Sequence, residues 1–195
     1  MNIGIVILVI AVVIAVWIIG VYNFFVSSKA RIKASIQEIG NQLKRQSNLI
    51  PNLENSAKGF LKHEKAIFTK LTDARKAVDR AVNSGDVTQM GNAGSKLSEI
   101  LPKIQVLVES NPELKGDKVV TKLMDELRDT TDKVMYSRRL LIDLTADYNV
   151  KRVTFPTNII ANAFKFDEMK GLDTPQTGEH VSVSKTETKS PKINL

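Results

Sequence analysis

Leu43 to Glu64 reads LKRQSNLIPNLENSAKGFLKHE, and how it is parsed decides the fold. The stretch holds one proline flanked by two asparagines (Asn48 and Asn52), a basic pair before it and a His-Glu dipeptide at its end. A proline is tolerated in the first turn of a helix, where its missing N–H would be unsatisfied anyway. Asn48 just upstream is a capping residue type. The stretch therefore predicts a corner between two helices, with Pro51 opening the second and Leu49 and Ile50 plugging the end of the bundle. The His-Glu dipeptide suggests zinc chemistry, but the HExxH motif needs a second histidine one turn later. That position is Ile67, and the other histidine of the chain is His180 near its end. No Cys is present, and one His outside the tail leaves no set of partners to orient a nucleophilic serine. Neither GxxxxGK[ST] nor GxGxxG occurs. The expectation is a protein without catalytic, cofactor-binding or metal-binding residues.

Upstream, no charged side chain occurs from Met1 to Ser28, and Ile3–Val21 is almost wholly aliphatic. Nineteen helical residues span roughly 28 Å, close to the hydrocarbon thickness of a bilayer. Trp17 and Tyr22 fall near one end, as amphipathic rings do at an interface. A cleaved signal peptide would show a basic start, a shorter apolar core and small residues at the cleavage site. Only Asn2 precedes the run, and Val26-Ser27-Ser28 is a poor cleavage site, so an uncleaved anchor is expected. Lys29, Arg31 and Lys33 follow the span directly. By the positive-inside rule the N-terminus lies outside the membrane and the rest in the cytoplasm.

Downstream of the anchor the periodicity is helical. Phe25, Ile32, Ile36, Ile39 and Leu43 continue one stripe out of the apolar run and fade at Gln46–Asn48. A second stripe runs Leu53, Ala57, Phe60, Glu64, Ile67, Leu71, Ala74, Val78 and Ala81, alternating three and four as in a coiled-coil seam. Asn83-Ser84-Gly85 ends it, and Asp86 with Gln89 reads as the next helix start. Leu97, Leu101, Ile104 and Val108 mark a third, weaker helix, which Pro102 should kink or whose better part it should open. Asn111-Pro112 and Lys115-Gly116-Asp117 make another corner. The fourth helix, about Val119–Thr154, carries Val120, Met124, Leu127, Val134, Leu141 and Tyr148. The predicted class is all-α: an N-terminal transmembrane helix continuous with a long antiparallel bundle of four main helices plus a short C-terminal one. The organisation is 1–22 anchor, 23–170 bundle and 171–195 tail. The tail holds few aliphatics and should be disordered. Its three Lys balance its three acids, so the net charge of +7 lies in residues 22–170.

In an up-down bundle the fourth helix returns to the membrane and delivers Phe155–Phe166 there. Phe155, Ile159, Ile160, Phe164 and Phe166 are apolar among Lys151, Arg152, Lys165 and Lys170, a pattern for a segment lying on the membrane or capping the bundle. Glu64 falls on an apolar seam. A buried carboxylate needs a partner, and Arg138, on the fourth stripe, is the expected one (or its neighbour Arg139). Lys44 and Arg45, with Asn48 and Asn52, would sit at the end farthest from the membrane as a candidate partner surface or as cations at a helix C-terminus. Aromatics are not interleaved along a basic face, so a nucleic-acid partner is not expected.

LKRQSNLIPNL, AKGFLKHE, ESNPELK, MDELRDT, YSRRL, DYNVK and FPTNIIANAFKF, in that order, resemble the signature blocks of the LemA family. The resemblance covers roughly Val21 to Phe166. It implies an N-terminal transmembrane helix joined to an antiparallel helical bundle, without an agreed enzymatic activity, in the bacterial envelope and sometimes beside membrane peptidases. Two positions depart from the family pattern: Gln46 replaces a second Arg after Lys44-Arg45, and Lys165 stands where Gly is common. The expected role is a non-catalytic scaffold or adaptor. Its partners would be the lipid bilayer and an unidentified protein such as a membrane peptidase, and a homo-oligomer is compatible with the same reading. The alternative is an accessory subunit of such a peptidase or a lipid-organising protein.

Overall fold

The computed structural model describes residues 2–57 and 65–172. Among these are six helices: α1 (Ile3–Ala57), α2 (Lys65–Ser84), α3 (Val87–Ser110), α4 (Pro112–Gly116), α5 (Lys118–Val153) and α6 (Thr157–Ala163). The predicted all-α bundle is what the chain forms. His63, Glu64 and the stretch from 173 to 195 lie outside the described residues.

The opening stretch is parsed differently from the sequence expectation. Pro51 lies inside α1, which continues to Ala57, so the chain does not turn there. The stripe does not fade at Gln46 either. Positions 21, 25, 28, 32, 35, 39, 43, 46, 50, 53 and 57 are all buried, stepping by three or four without a break past Val21. The pattern was hidden because Ser28, Ser35, Gln46 and Ser47 occupy buried positions. Polar side chains at a seam imitate its end, and a proline nearby completes the illusion. Their burial is tolerated because each of three finds a partner. Ser35 Oγ donates to Ser137 O (2.9 Å), Gln46 Nε2 to Thr131 Oγ1 (2.7 Å) and Ser47 Oγ to Asp79 Oδ1 (2.9 Å). Leu53 and Ala57, expected on the second helix, belong to the end of α1.

Facing this seam, α5 buries Val120, Leu123, Leu127, Thr130, Val134, Ser137, Leu141, Leu144 and Tyr148, again by threes and fours. Phe25 meets Tyr148 edge-on at 5.4 Å, and Ser35 meets Ser137, so the two helices run antiparallel in one constant register. The short α2–α3 hairpin covers only part of this pair. It turns at Gly85, whose φ of +69° is the left-handed value a glycine adopts without strain. Asp86 then caps α3 by accepting from Gln89 N (3.0 Å). Near this turn, Met90 packs beside Gly40. Farther out, Lys44 reaches Asp79, and Glu54 accepts from Thr72 Oγ1 (3.1 Å). At the far end Asn111 and Asp117 cap α4 and α5.

The result is a rod in three parts. The apolar run of α1 stands bare, with its side chains exposed. From about Val21 to Gly40, α1 and α5 form a two-helix stalk. From Gly40 to Ala57, α2 and α3 complete a four-helix head.

Candidate functional site

Two regions gather the residues singled out from the sequence. The first is the base of the stalk. α5 ends at Val153, α6 follows a cis Phe155–Pro156 bond, and the chain then doubles back along α5. The centre of this region is Phe25, fully buried, with its ring 4.8 Å from Phe166 in a stacked pose and 5.4 Å from Tyr148. Tyr22 abuts Phe164 (5.0 Å) and Phe166 (5.6 Å). Such ring pairs add about 0.5–1.5 kcal/mol each beyond their area. Lys151 Nζ lies 4.9 Å from the Phe24 ring centroid, a cation–π contact.

The returning segment is held by polar bonds as well. Tyr148 Oη donates to Asp167 O (3.0 Å), and burial pushes its hydroxyl pKa up. Asn149 makes a two-way pair with the Met169 backbone, donating at 2.8 Å and accepting at 3.0 Å. Arg152 faces Glu168 at 3.6 Å. Farther along, Gly171 packs on Thr145 and Leu172 on Gly91, so the segment reaches the bottom of the head.

α6 ends in a Schellman arrangement. Phe166 N donates to Ala161 O (2.9 Å) and Lys165 N to Asn162 O (3.2 Å). This geometry requires a left-handed residue, and Lys165 supplies it with φ of 54°. The family preference for Gly at this position thus has a physical reason.

The expected site residues divide between two faces. Thr157, Ile160 and Ala161 are buried and Phe166 is partly so, which makes this side of α6 a cap on the stalk. Phe155, Ile159 and Phe164 are exposed by 76, 57 and 53%, and Lys165 is also exposed.

The second region is the charged rim of the head. Lys44 Nζ lies 2.9 Å from Asp79 Oδ1, and this bond is the main reason that the Asp79 pKa falls below its usual value. Arg45 Nη2 lies 3.6 Å from Glu126. Contrary to the expected position at the distal end, both cations sit about three-quarters of the way along α1, within the head, and reach sideways to α2 and α5. Continuity through Pro51 is the cause, because α1 runs on for twelve residues past Arg45. Asn48 and Asn52 are exposed on the same helix. Arg138 is half-buried and donates from Nη1 to Ser95 Oγ on α3 (3.1 Å), close to the α2–α3 turn. Its expected partner Glu64 lies outside the described residues, and Lys65, the first residue of α2, opens that helix at the distal end of the head. Among the described residues no three His, Cys, Asp or Glu side chains gather as a metal set.

An all-α bundle whose first helix runs on into a bare apolar segment long enough to cross a membrane defines the class. A LemA family profile matches residues 35–184, most of the chain, and the protein belongs to the LemA family. No curated protein matches the chain significantly.

Proposed function

We propose that this protein is a non-catalytic scaffold of the bacterial cell membrane, anchored by residues 3–21, that holds a four-helix head at fixed height on the cytoplasmic side. The observation that carries this reading is the uninterrupted seam from Val21 to Ala57. A single helix with no break between anchor and head transmits position instead of allowing the head to wander. At 1.5 Å per residue, the nineteen steps from Val21 to Gly40 set the near edge of the head roughly 28 Å above the apolar run. Lys29, Arg31 and Lys33, directly after that run, support the cytoplasmic orientation. The exposed edge of α1 around Lys44, Arg45, Asn48 and Asn52 is the surface offered to a protein partner.

The test is photo-crosslinking in cells from Asn48 and Asn52, with Met135 on the stalk side of α5 as the comparison. The scaffold reading expects one discrete protein adduct from both head positions and not from Met135. A membrane peptidase in that adduct would make the protein its accessory subunit. Adducts equally abundant and diverse from all three positions would overturn a specific docking surface.

A further inference from the structure

The sequence left two roles open for Phe155–Phe166, and the structure gives each to a different face. Ile160, Ala161 and Phe166 close the stalk, while Phe155, Ile159 and Phe164 point out, together with Val150 and Val153 of the last α5 turn, both more than 60% exposed. Five large apolar side chains are therefore exposed between residues 150 and 164, at one end of the molecule, where a soluble surface seldom leaves so many without a partner.

Their height is informative. Phe25 faces Tyr148, so Val153, five residues further along α5, stands beside residue 20 of α1. The α5–α6 turn therefore lies level with the last turn of the apolar run. Ile18 and Val21, inside that run, are shielded by the folded part: Val21 is 6% exposed and Ile18 packs partly against the core. From Val21 down to Ile18 is roughly 4–5 Å, near the shallow depth at which interfacial helices bury their apolar face. Trp17 and Tyr22 bracket this level on either side of Ile18 to Val21, as interfacial aromatics do. Along the lower stalk, within roughly 20 Å of this level at 1.5 Å per helical residue, the chain carries Lys29, Arg31, Lys33, Lys151, Arg152, Lys165 and Lys170, opposed by Asp143, Asp147, Asp167 and Glu168. Of these cations Arg152 is engaged with Glu168 and Lys151 lies over the Phe24 ring. The surplus is positive, which suits anionic headgroups.

We propose that the outward face of the α5–α6 turn and α6, formed by Phe155, Ile159 and Phe164, is a second membrane contact that lies in the anionic interface of the bilayer crossed by α1. This rests on the reading of residues 3–21 as a membrane anchor. α1 and its neighbours pack roughly 8–10 Å apart, so the bilayer would hold the rod at two points side by side. One transmembrane helix alone leaves tilt and rotation free. A second contact beside it fixes both, and so fixes which face the head presents.

The chain lacks Cys, so one environment-sensitive label can be placed at a time. Full-length Ile159→Cys and Phe164→Cys are reconstituted in vesicles of phosphatidylcholine mixed with phosphatidylglycerol. Ile10→Cys marks the apolar run, and Met135→Cys marks solvent. These four side chains are at least half exposed; Phe164→Cys gives up the ring contact with Tyr22, whereas Ile159→Cys does not, and equal helical circular dichroism keeps the set comparable. Labels at 159 and 164 are expected to show blue-shifted emission, quenching by headgroup-proximal nitroxide lipids and loss of most iodide quenching. Met135 should keep full iodide quenching. Iodide access at 159 and 164 equal to that at 135, with Ile10 protected, overturns the second contact alone. Protection from iodide without quenching by nitroxide lipid also overturns it, because a protein, either a second copy or a partner, then covers the face. Iodide access at Ile10 overturns the anchor instead. Equal protection in phosphatidylcholine alone overturns the part given to the cations.

Discussion

Lys165 illustrates how one residue carries a local cost that the rest of the molecule absorbs. A non-glycine side chain in the left-handed region is disfavoured by roughly 1–2 kcal/mol, yet the turn that ends α6 demands that conformation. The geometry holds because both flanking aromatics are anchored, Phe164 and Phe166 on Tyr22 and Phe166 also on Phe25. Lys165→Gly is therefore expected to raise stability by about 1 kcal/mol, after glycine's greater freedom in the unfolded chain offsets part of the relief. Thermal unfolding of the full chain in detergent measures it, and a lowered midpoint would count against the left-handed assignment. The sequence alone marked this position only as a departure from the family's glycine. The torsion explains why glycine fits.

At the scale of elements, legibility followed the contrast between apolar and polar positions. Where the buried stripe was purely apolar, as in α2 from Leu71 to Ala81, helix and face could be read directly. The cap at Asp86 was equally plain, and Asn111 to Asp117 could be read as a corner, although the short α4 that Asn111 caps and the capping of α5 by Asp117 emerge only in the structure. α1 was misread at the place where the seam turns polar. Gln46 and Ser47 are almost wholly buried but bonded across the interface, a fact that lies in tertiary structure and not in the chain's own rhythm. Pro51 then appeared to open a helix that had started some fifty residues earlier. The two parsings make opposite forecasts for Pro51→Ala. At a first helical turn proline costs nothing, and alanine would gain little or lose the preset φ. Inside a helix proline removes a hydrogen bond and crowds the carbonyl one turn back, at about 3 kcal/mol relative to alanine. Continuity of α1 thus predicts that Pro51→Ala stabilises by about 1–3 kcal/mol, less whatever the neighbouring helices already recover. Urea unfolding followed by circular dichroism decides it, and a destabilised variant would restore the corner.

Across the whole molecule, packing is organised around two ends joined by one helix pair. The head is a conventional four-helix core, with Leu97, Leu71 and Leu53 almost fully buried. The base of the stalk is different, because two helices cannot enclose a core and aromatic bulk supplies the missing layer. Phe25 is its keystone: fully buried, on the helix that carries the apolar run, and in contact with rings from α5 and from the returning segment. Truncating a large buried ring leaves a cavity and costs about 3–5 kcal/mol. The same order of loss, about 2–5 kcal/mol, is expected for Leu97→Ala in the head. The two variants should nevertheless fail in different places. Phe25→Ala removes the ring on which Phe166 stacks, so the hydrogen bonds from Tyr148 and Asn149 to the returning segment lose the packing that aligns them. Amide exchange of Phe166 to Leu172 should accelerate sharply in Phe25→Ala while exchange in α3 stays near the parent level. In Leu97→Ala the pattern should reverse, with α3 opening and the segment protected. Uniform acceleration in both variants would mean that stalk and head unfold as one unit, so that the base could not be remodelled independently of the head. Separate acceleration would establish that the joint between apolar run, stalk and α6 is a cooperative unit of its own, which the proposed scaffold role and the proposed second membrane contact both require.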